Sequence, residues 1–181
     1  NKTARQKIAC LNTDGTINTD FNTATGFDAE VDTVKVLSSG KIMALGKFNN
    51  YKSTSRVGVA LVNSDASLDN TFTIGTGLVT KEATRYYQSI VEQSDGKIVL
   101  GGNFVKYNTS LATSLIRLTS TGSLDNNFDS LTTGRETIYE AQIQSDSKLI
   151  IAGAFITYDG ITRNKIVRIN KDGSLDNTLS I

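Results

Sequence analysis

One turn signature occurs three times in this chain at nearly constant spacing, and no other feature limits the fold as strongly. Ser94, Asp95, Gly96, Lys97 and Ile98 lead into Gly102, Asn103, Phe104 and Tyr107. Earlier by 56 positions the same frame reads Ser38, Ser39, Gly40, Lys41, Ile42, Gly46, Lys47, Phe48 and Tyr51. Later by 51 positions it reads Ser145, Asp146, Ser147, Lys148, Leu149, Gly153, Ala154, Phe155 and Tyr158. A period of this size marks a propeller, a solenoid or an array. It also weighs against an enzyme, because a repeated unit is usually a scaffold that carries function on its loops.

A second mark runs through the chain. It reads Asn12, Thr13, Asp14, Gly15, Thr16, Ile17 and Phe21, then Ser64, Asp65, Ala66, Ser67, Leu68, Asp69 and Phe72. It returns as Ser120, Thr121, Gly122, Ser123, Leu124, Asp125 and Phe128, and finally as Lys171, Asp172, Gly173, Ser174, Leu175, Asp176 and Leu179. The spacings from Phe21 to Phe72, Phe128 and Leu179 are 51, 56 and 51. Both series change length between the same neighbours, as loop insertions would produce.

Between the marks, apolar residues alternate with period two. Val31, Thr33 and Lys35 face one way, and Asp32, Val34 and Val36 the other. Val57, Val59 and Leu61 alternate with Gly58, Ala60 and Val62. Short runs of Val, Ile, Leu and Thr between Gly, Asn, Asp and Ser clusters read as strands, and no stretch carries a period of 3.6. The expected class is all-β: β-propeller blades of about four antiparallel strands. Asp-Gly between alternating runs is a hairpin signal, so Ser147, in the place of a turn glycine, predicts a strained turn or one of another type. Gly101, Gly102 and Gly153 at the end of the second strand predict a bulge or close backbone approach. Phe48, Phe104 and Phe155, with Tyr51, Tyr107 and Tyr158, read first as packing between blades and second as ligand stacking.

Composition removes several functions. The chain has no His, Trp or Pro and a single Cys. Without His there is no usual general base and no triad imidazole. Cys10 reads as a small buried hydrophobe. A net charge of +1 with scattered Lys and Arg offers no basic face for nucleic acid, and no apolar run is long enough for a membrane helix. The acidic turns fail the calcium-loop test, which puts Cys10 and Arg168 at the first ligand position. Looser sets, Asp14 with Asn18 and Asp20 or Asp125 with Asn126, read as turn hydrogen bonds. No cofactor, metal or catalytic residue is expected. The acidic residues worth following for glycoside chemistry are Glu30, Asp32, Glu82, Glu92, Glu136 and Glu140.

Taken together, Gln93 to Tyr107 and Arg117 to Phe128 resemble the delta-60 type repeat, a β-propeller family of large bacterial proteins. Arg168, Ile169, Asn170, Asp172, Gly173, Ser174, Leu175 and Asp176 form a second close copy. The resemblance covers nearly the whole chain and implies a secreted, cell-surface or virion protein. It departs from the family at the first turn, where Ser94 and Ser145 replace the usual Pro. It departs again at Glu92, a carboxylate where the other copies have Val36 and Ile143, which marks a lined channel, a contact or an exposed edge.

Cut at its marks, the chain divides into a half unit (1–24) and three full units (25–75, 76–131 and 132–181). Three and a half units leave three expectations open: a piece of a longer propeller, a ring completed by a second copy, or an open stack. Recognition is expected on the variable stretches Phe21 to Val31, Thr73 to Tyr87 and Asp129 to Ile138. Arg85, Tyr86 and Tyr87, beside Lys81, form the most contact-like cluster, and Glu92, Tyr107 and Tyr158 complete the candidate binding residues. The expected function is a non-catalytic scaffold or binding segment acting in adhesion or assembly. Its partners would be proteins, further repeats or a second copy. The alternatives are a lectin-like propeller that binds glycans through Tyr107 and Tyr158, and a glycosidase using paired carboxylates.

Overall fold

A computed structural model describes residues 6–80, 87–112, 114–129 and 136–179. Sixteen strands and no helices occur among them. The first full unit contains β1 (Val31–Val36), β2 (Ile42–Gly46), β3 (Asn50–Tyr51), β4 (Thr54–Ser55) and β5 (Val59–Val62). The second contains β6 (Leu78–Thr80), β7 (Tyr87–Glu92), β8 (Ile98–Gly102), β9 (Phe104–Tyr107), β10 (Ser110–Leu111) and β11 (Leu115–Leu118). The third contains β12 (Ile138–Ile143), β13 (Leu149–Gly153), β14 (Thr157–Tyr158), β15 (Ile161–Thr162) and β16 (Ile166–Ile169).

Each unit is built on one antiparallel three-stranded sheet, in the orders β1-β2-β5, β7-β8-β11 and β12-β13-β16. A short hairpin between the second and third strands carries the recurring Tyr: β3-β4, β9-β10 and β14-β15, and in the second unit β6 adds to it as a third strand paired with β9. The fourth strand position is held by single bridges, Val62 to Leu68, Leu118 to Leu124 and Ile169 to Leu175. The same bridge joins Leu11 to Ile17 before the first sheet.

The first strand of each of these three main sheets has a register shift, between Val31 and Thr33, Tyr87 and Ser89, and Ile138 and Glu140. The end-of-strand glycines explain it. A Cβ on Gly153 would lie 2.4 Å from the Thr137 carbonyl oxygen, so no side chain fits there. The irregularity also corrects one face assignment. Val31 packs with Ala44 and Ala60 rather than facing with Thr33.

The turns between first and second strands share one geometry. Gly40, Gly96 and Ser147 have φ of 78°, 75° and 69°. Their amides donate to Leu37, Gln93 and Gln144 at 2.9 Å in each case. Ser147 therefore keeps the same turn and holds a left-handed conformation that a β-carbon disfavours.

Alternate residues of each sheet face opposite neighbours, so the units stack. Met43, Leu45, Val59 and Leu61 of the first unit meet Ile90, Ile98, Leu100 and Ile116 of the second in one buried cluster. Val91, Val99 and Leu115 leave the other face of the second sheet to meet Ala141, Leu149, Ile151 and Val167 of the third. Strands β5, β8 and β11 are buried on both faces, as sheets sandwiched between sheets must be. The recurring Phe and Tyr residues line these layers, with Phe48, Phe104, Phe155, Tyr51 and Tyr107 fully buried.

Candidate functional site

Folding brings the two marks of each unit together. The Lys after the first turn meets the Asp of the second mark in all three units. Lys41 Nζ lies 2.6 Å from Asp69, Lys97 Nζ 2.8 Å from Asp125, and Lys148 Nζ 2.9 Å from Asp176. The three carboxylates are nearly inaccessible to solvent. An uncompensated buried carboxylate is costly, so each needs its ammonium partner. The other carboxylate oxygen serves the local chain, as at Asp69, which accepts from the Thr71 amide at 2.8 Å and its hydroxyl at 2.6 Å. Burial alone would raise the Asp69 carboxyl, but Lys41 and Thr71 outweigh it and hold the group at about 2. Lys148 and Thr178 hold Asp176 well below the usual carboxylate range.

The hairpin tyrosine makes the second connection. Tyr51 donates to the Ala66 carbonyl at 2.6 Å, Tyr107 to Gly122, and Tyr158 to Gly173. Each acceptor is the left-handed residue of the second mark. Burial pushes the Tyr51 phenol up to about 12 and those of Tyr107 and Tyr158 higher still.

Between units the ties differ from one seam to the next. The amides following Phe72 and Phe128 donate to the next unit's turn, Thr73 to Thr121 at 2.9 Å and Asp129 to Asp172 at 2.8 Å. At the second seam Arg117 adds a guanidinium that bonds Asp125 at 2.8 Å, Gln93 at 3.1 Å and the Lys171 carbonyl at 2.6 Å. It lies 4.7 Å from the centre of the Phe128 ring. At the first seam Leu61 holds the place of Arg117, and Glu92 makes the link. Its two carboxylate oxygens accept from the Ser38 amide and hydroxyl, both at 2.7 Å.

These positions recast the candidate binding residues. Arg85 and Tyr86, with Lys81, lie outside the described residues. Tyr87 opens β7 opposite Gly102, the register that Val31 and Ile138 hold opposite Gly46 and Gly153. Glu92 is a contact between units, bonded to Ser38 across the seam, rather than a free edge. Tyr107 and Tyr158 offer no ring face to a ligand, with 0% and 1% exposure. Their hydroxyls are engaged by backbone carbonyls, Tyr107 on Gly122 and Tyr158 on Gly173 and on Asp129 of the preceding unit, which corrects their assignment to glycan pockets.

The acidic residues are also placed. Asp14 accepts from the Thr16 amide and hydroxyl, and Asn18 from the Asp20 amide, both ordinary turn bonds. Glu30 pairs with Lys47 at 2.6 Å and Glu140 accepts from Gln142 at 3.0 Å. Glu82 lies outside the described residues. Among the described residues no group of three His, Cys, Asp or Glu side chains is placed to hold a metal ion. Sequence reading missed the Lys–Asp pairs and the Arg117 cluster. The available signal was the constant separation of 28 positions between that Lys and that Asp.

Known proteins give the same frame. A family model described as a domain of unknown function (DUF5122) β-propeller matches three times, over residues 37–72, 93–128 and 144–179. Each match begins at the first turn and ends at the Phe or Leu closing the second mark. Among solved structures, the chain is similar to PorZ, an essential bacterial surface component of the type-IX secretion system of Porphyromonas gingivalis. The TM-score is 0.52 at 11% identity, over 91% of this chain and 23% of PorZ. At that identity the likeness shows the fold alone, and the chain spans about a quarter of PorZ. No curated protein matches.

Proposed function

This chain belongs to the DUF5122 β-propeller family, and from that premise we propose a non-catalytic scaffold and binding segment of a larger secreted or surface-exposed protein. It acts in adhesion or assembly, through the loops between its strands. The observation that carries this reading is the use made of the recurring polar residues. The Lys, Asp and Tyr repeated with the unit are engaged in joining its two marks, so the repeat encodes architecture. Recognition then falls to the stretches whose length changes between units, above all the one containing Arg85 and Tyr86. PorZ, a surface component that shares the fold, is consistent with a surface placement.

Labelling of intact cells with a membrane-impermeant amine reagent tests placement, using the exposed Lys35, Lys106 and Lys165. Modification on intact cells is expected, and modification only after lysis would overturn a surface location. Simultaneous Ala substitution of Arg85 and Tyr86 in the full-length protein is expected to lower attachment without shifting the melting temperature. Unchanged attachment would remove that loop from the reading.

A further inference from the structure

The first seam contains a cavity of about 230 Å³, with Leu37, Met43, Leu61, Phe72 and Ile98 as its apolar wall and Lys41, Glu92 and Ser120 at its polar side. The second seam shows what belongs in such a space. Stepping one unit along the chain, Leu61 becomes Arg117, Phe72 becomes Phe128, Asp69 becomes Asp125, and Ser120 becomes Lys171. There the Arg117 guanidinium lies against Phe128, bonds the Asp125 carboxylate and reaches the Lys171 carbonyl. With Leu at position 61 the first seam keeps the aromatic wall and the carboxylate but lacks the cation.

Two further differences favour a cation at the first seam. Asp69 has one bonded cation, Lys41, where Asp125 and Asp176 each have a Lys and an Arg. Arg56 is near enough to feel the Asp69 charge, but its guanidinium bonds the Ser55 carbonyl at 2.8 Å. Glu92 brings a second carboxylate that the other seam replaces with Ile143. It accepts one bond per oxygen from Ser38, half of what a carboxylate can accept. The Lys41 charge opposes a cation, but its ammonium is held on Asp69.

We infer that the seam between the first and second units binds a guanidinium group carried on an apolar stem, as in an arginine side chain. The stem packs at the mouth of the cavity beside Leu37 and Leu61, Phe72 backs the wall from behind them, and the Glu92 carboxylate accepts the N–H groups. Guanidinium suits this geometry better than ammonium because it donates in a planar fork that matches a carboxylate. The site is independent of where the protein resides and of the loop proposed for adhesion.

Met43 is the only methionine in the chain, so a ¹³C-methyl methionine label gives one signal from the cavity wall. Titration with n-butylguanidinium is expected to shift that signal saturably. Glu92→Gln should weaken the affinity about tenfold or more, the scale of a lost hydrogen bond to a charged group. Leu61→Arg should abolish binding by placing the cation in cis, and Glu92→Gln serves as the second variant should Leu61→Arg fail to fold. A Gly-Arg-Gly peptide that binds as well as n-butylguanidinium assigns the ligand to a partner protein's arginine. Exclusion of the peptide with n-butylguanidinium still bound assigns it to a free small guanidinium compound. Absence of a saturable shift, or equal affinity in the wild type and Glu92→Gln, would overturn the site.

Discussion

Tyr107→Phe removes one buried hydroxyl and nothing else, and the repeat supplies its own control. In the second unit the Gly122 carbonyl accepts from Tyr107, and no other donor reaches it among the described residues. In the first unit the corresponding Ala66 carbonyl accepts from Tyr51 at 2.6 Å and from Lys52 Nζ at 2.8 Å. Loss of the Tyr107 hydroxyl therefore leaves a buried acceptor bare, which costs about 1–3 kcal/mol. Loss of the Tyr51 hydroxyl leaves the acceptor with a charged donor, and the cost falls to about 0.5–1 kcal/mol. For a chain of this length those energies lower the melting temperature by roughly 2–4 °C per kcal/mol. Circular dichroism melts and urea titrations of the two single variants and the double variant make the comparison. The reasoning fails if Tyr51→Phe destabilises as much as Tyr107→Phe, or if Tyr107→Phe is indistinguishable from wild type.

Three further outcomes follow from the same geometry. Ser147→Gly is expected to stabilise by about 0.5–1 kcal/mol, the relief of a left-handed φ less the added freedom of glycine; lower stability in a urea titration would show that Ser147 has compensating contacts. Gly173→Ala places a Cβ 2.1 Å from the Asp129 carbonyl oxygen at a φ of 93°, and should cost about 2–4 kcal/mol. Gly96→Ala, with open space around the new methyl, should cost about 1 kcal/mol, and equal losses in the two variants would contradict the packing argument. Because Asp69 is held at about 2 when folded and near 3.9 when unfolded, its contribution to stability is complete above pH 4. It disappears as the pH falls through 2. Lys41→Met should flatten that acid limb, and an unchanged acid transition would remove the Lys41–Asp69 pair from the explanation.

The sequence carried the architecture well because architecture is what it repeats. Period-two alternation located the strands, and the Asp-Gly turns located the bends between them. Propensity could not show that Asp69, Asp125 and Asp176 point inward, since Asp in a turn is ordinarily solvated. Only the folded chain places the Lys of the preceding turn beside each one. Glu92 was visible as an exception, but its partner Ser38 lies 54 positions away and leaves no local trace. The burial of Tyr107 and Tyr158 was the bland expectation for aromatics at a fixed repeat position. The cavity at the first seam has only a faint mark in the sequence, a Leu at position 61 in the frame where the other units have Arg117 and Arg168.

The constant distance between the clamping Lys and Asp has a consequence for how such chains change length. From Lys41 to Asp69, Lys97 to Asp125 and Lys148 to Asp176 the separation does not vary, while the connectors outside these pairs do. An insertion inside the pair would move the carboxylate off its ammonium and leave a charge stranded in the interior. An insertion outside it only lengthens an exposed crossing. The clamp thus acts as a ruler for a duplicable cassette: each copy keeps its internal gauge, and diversification is confined to the joints where one cassette hands over to the next.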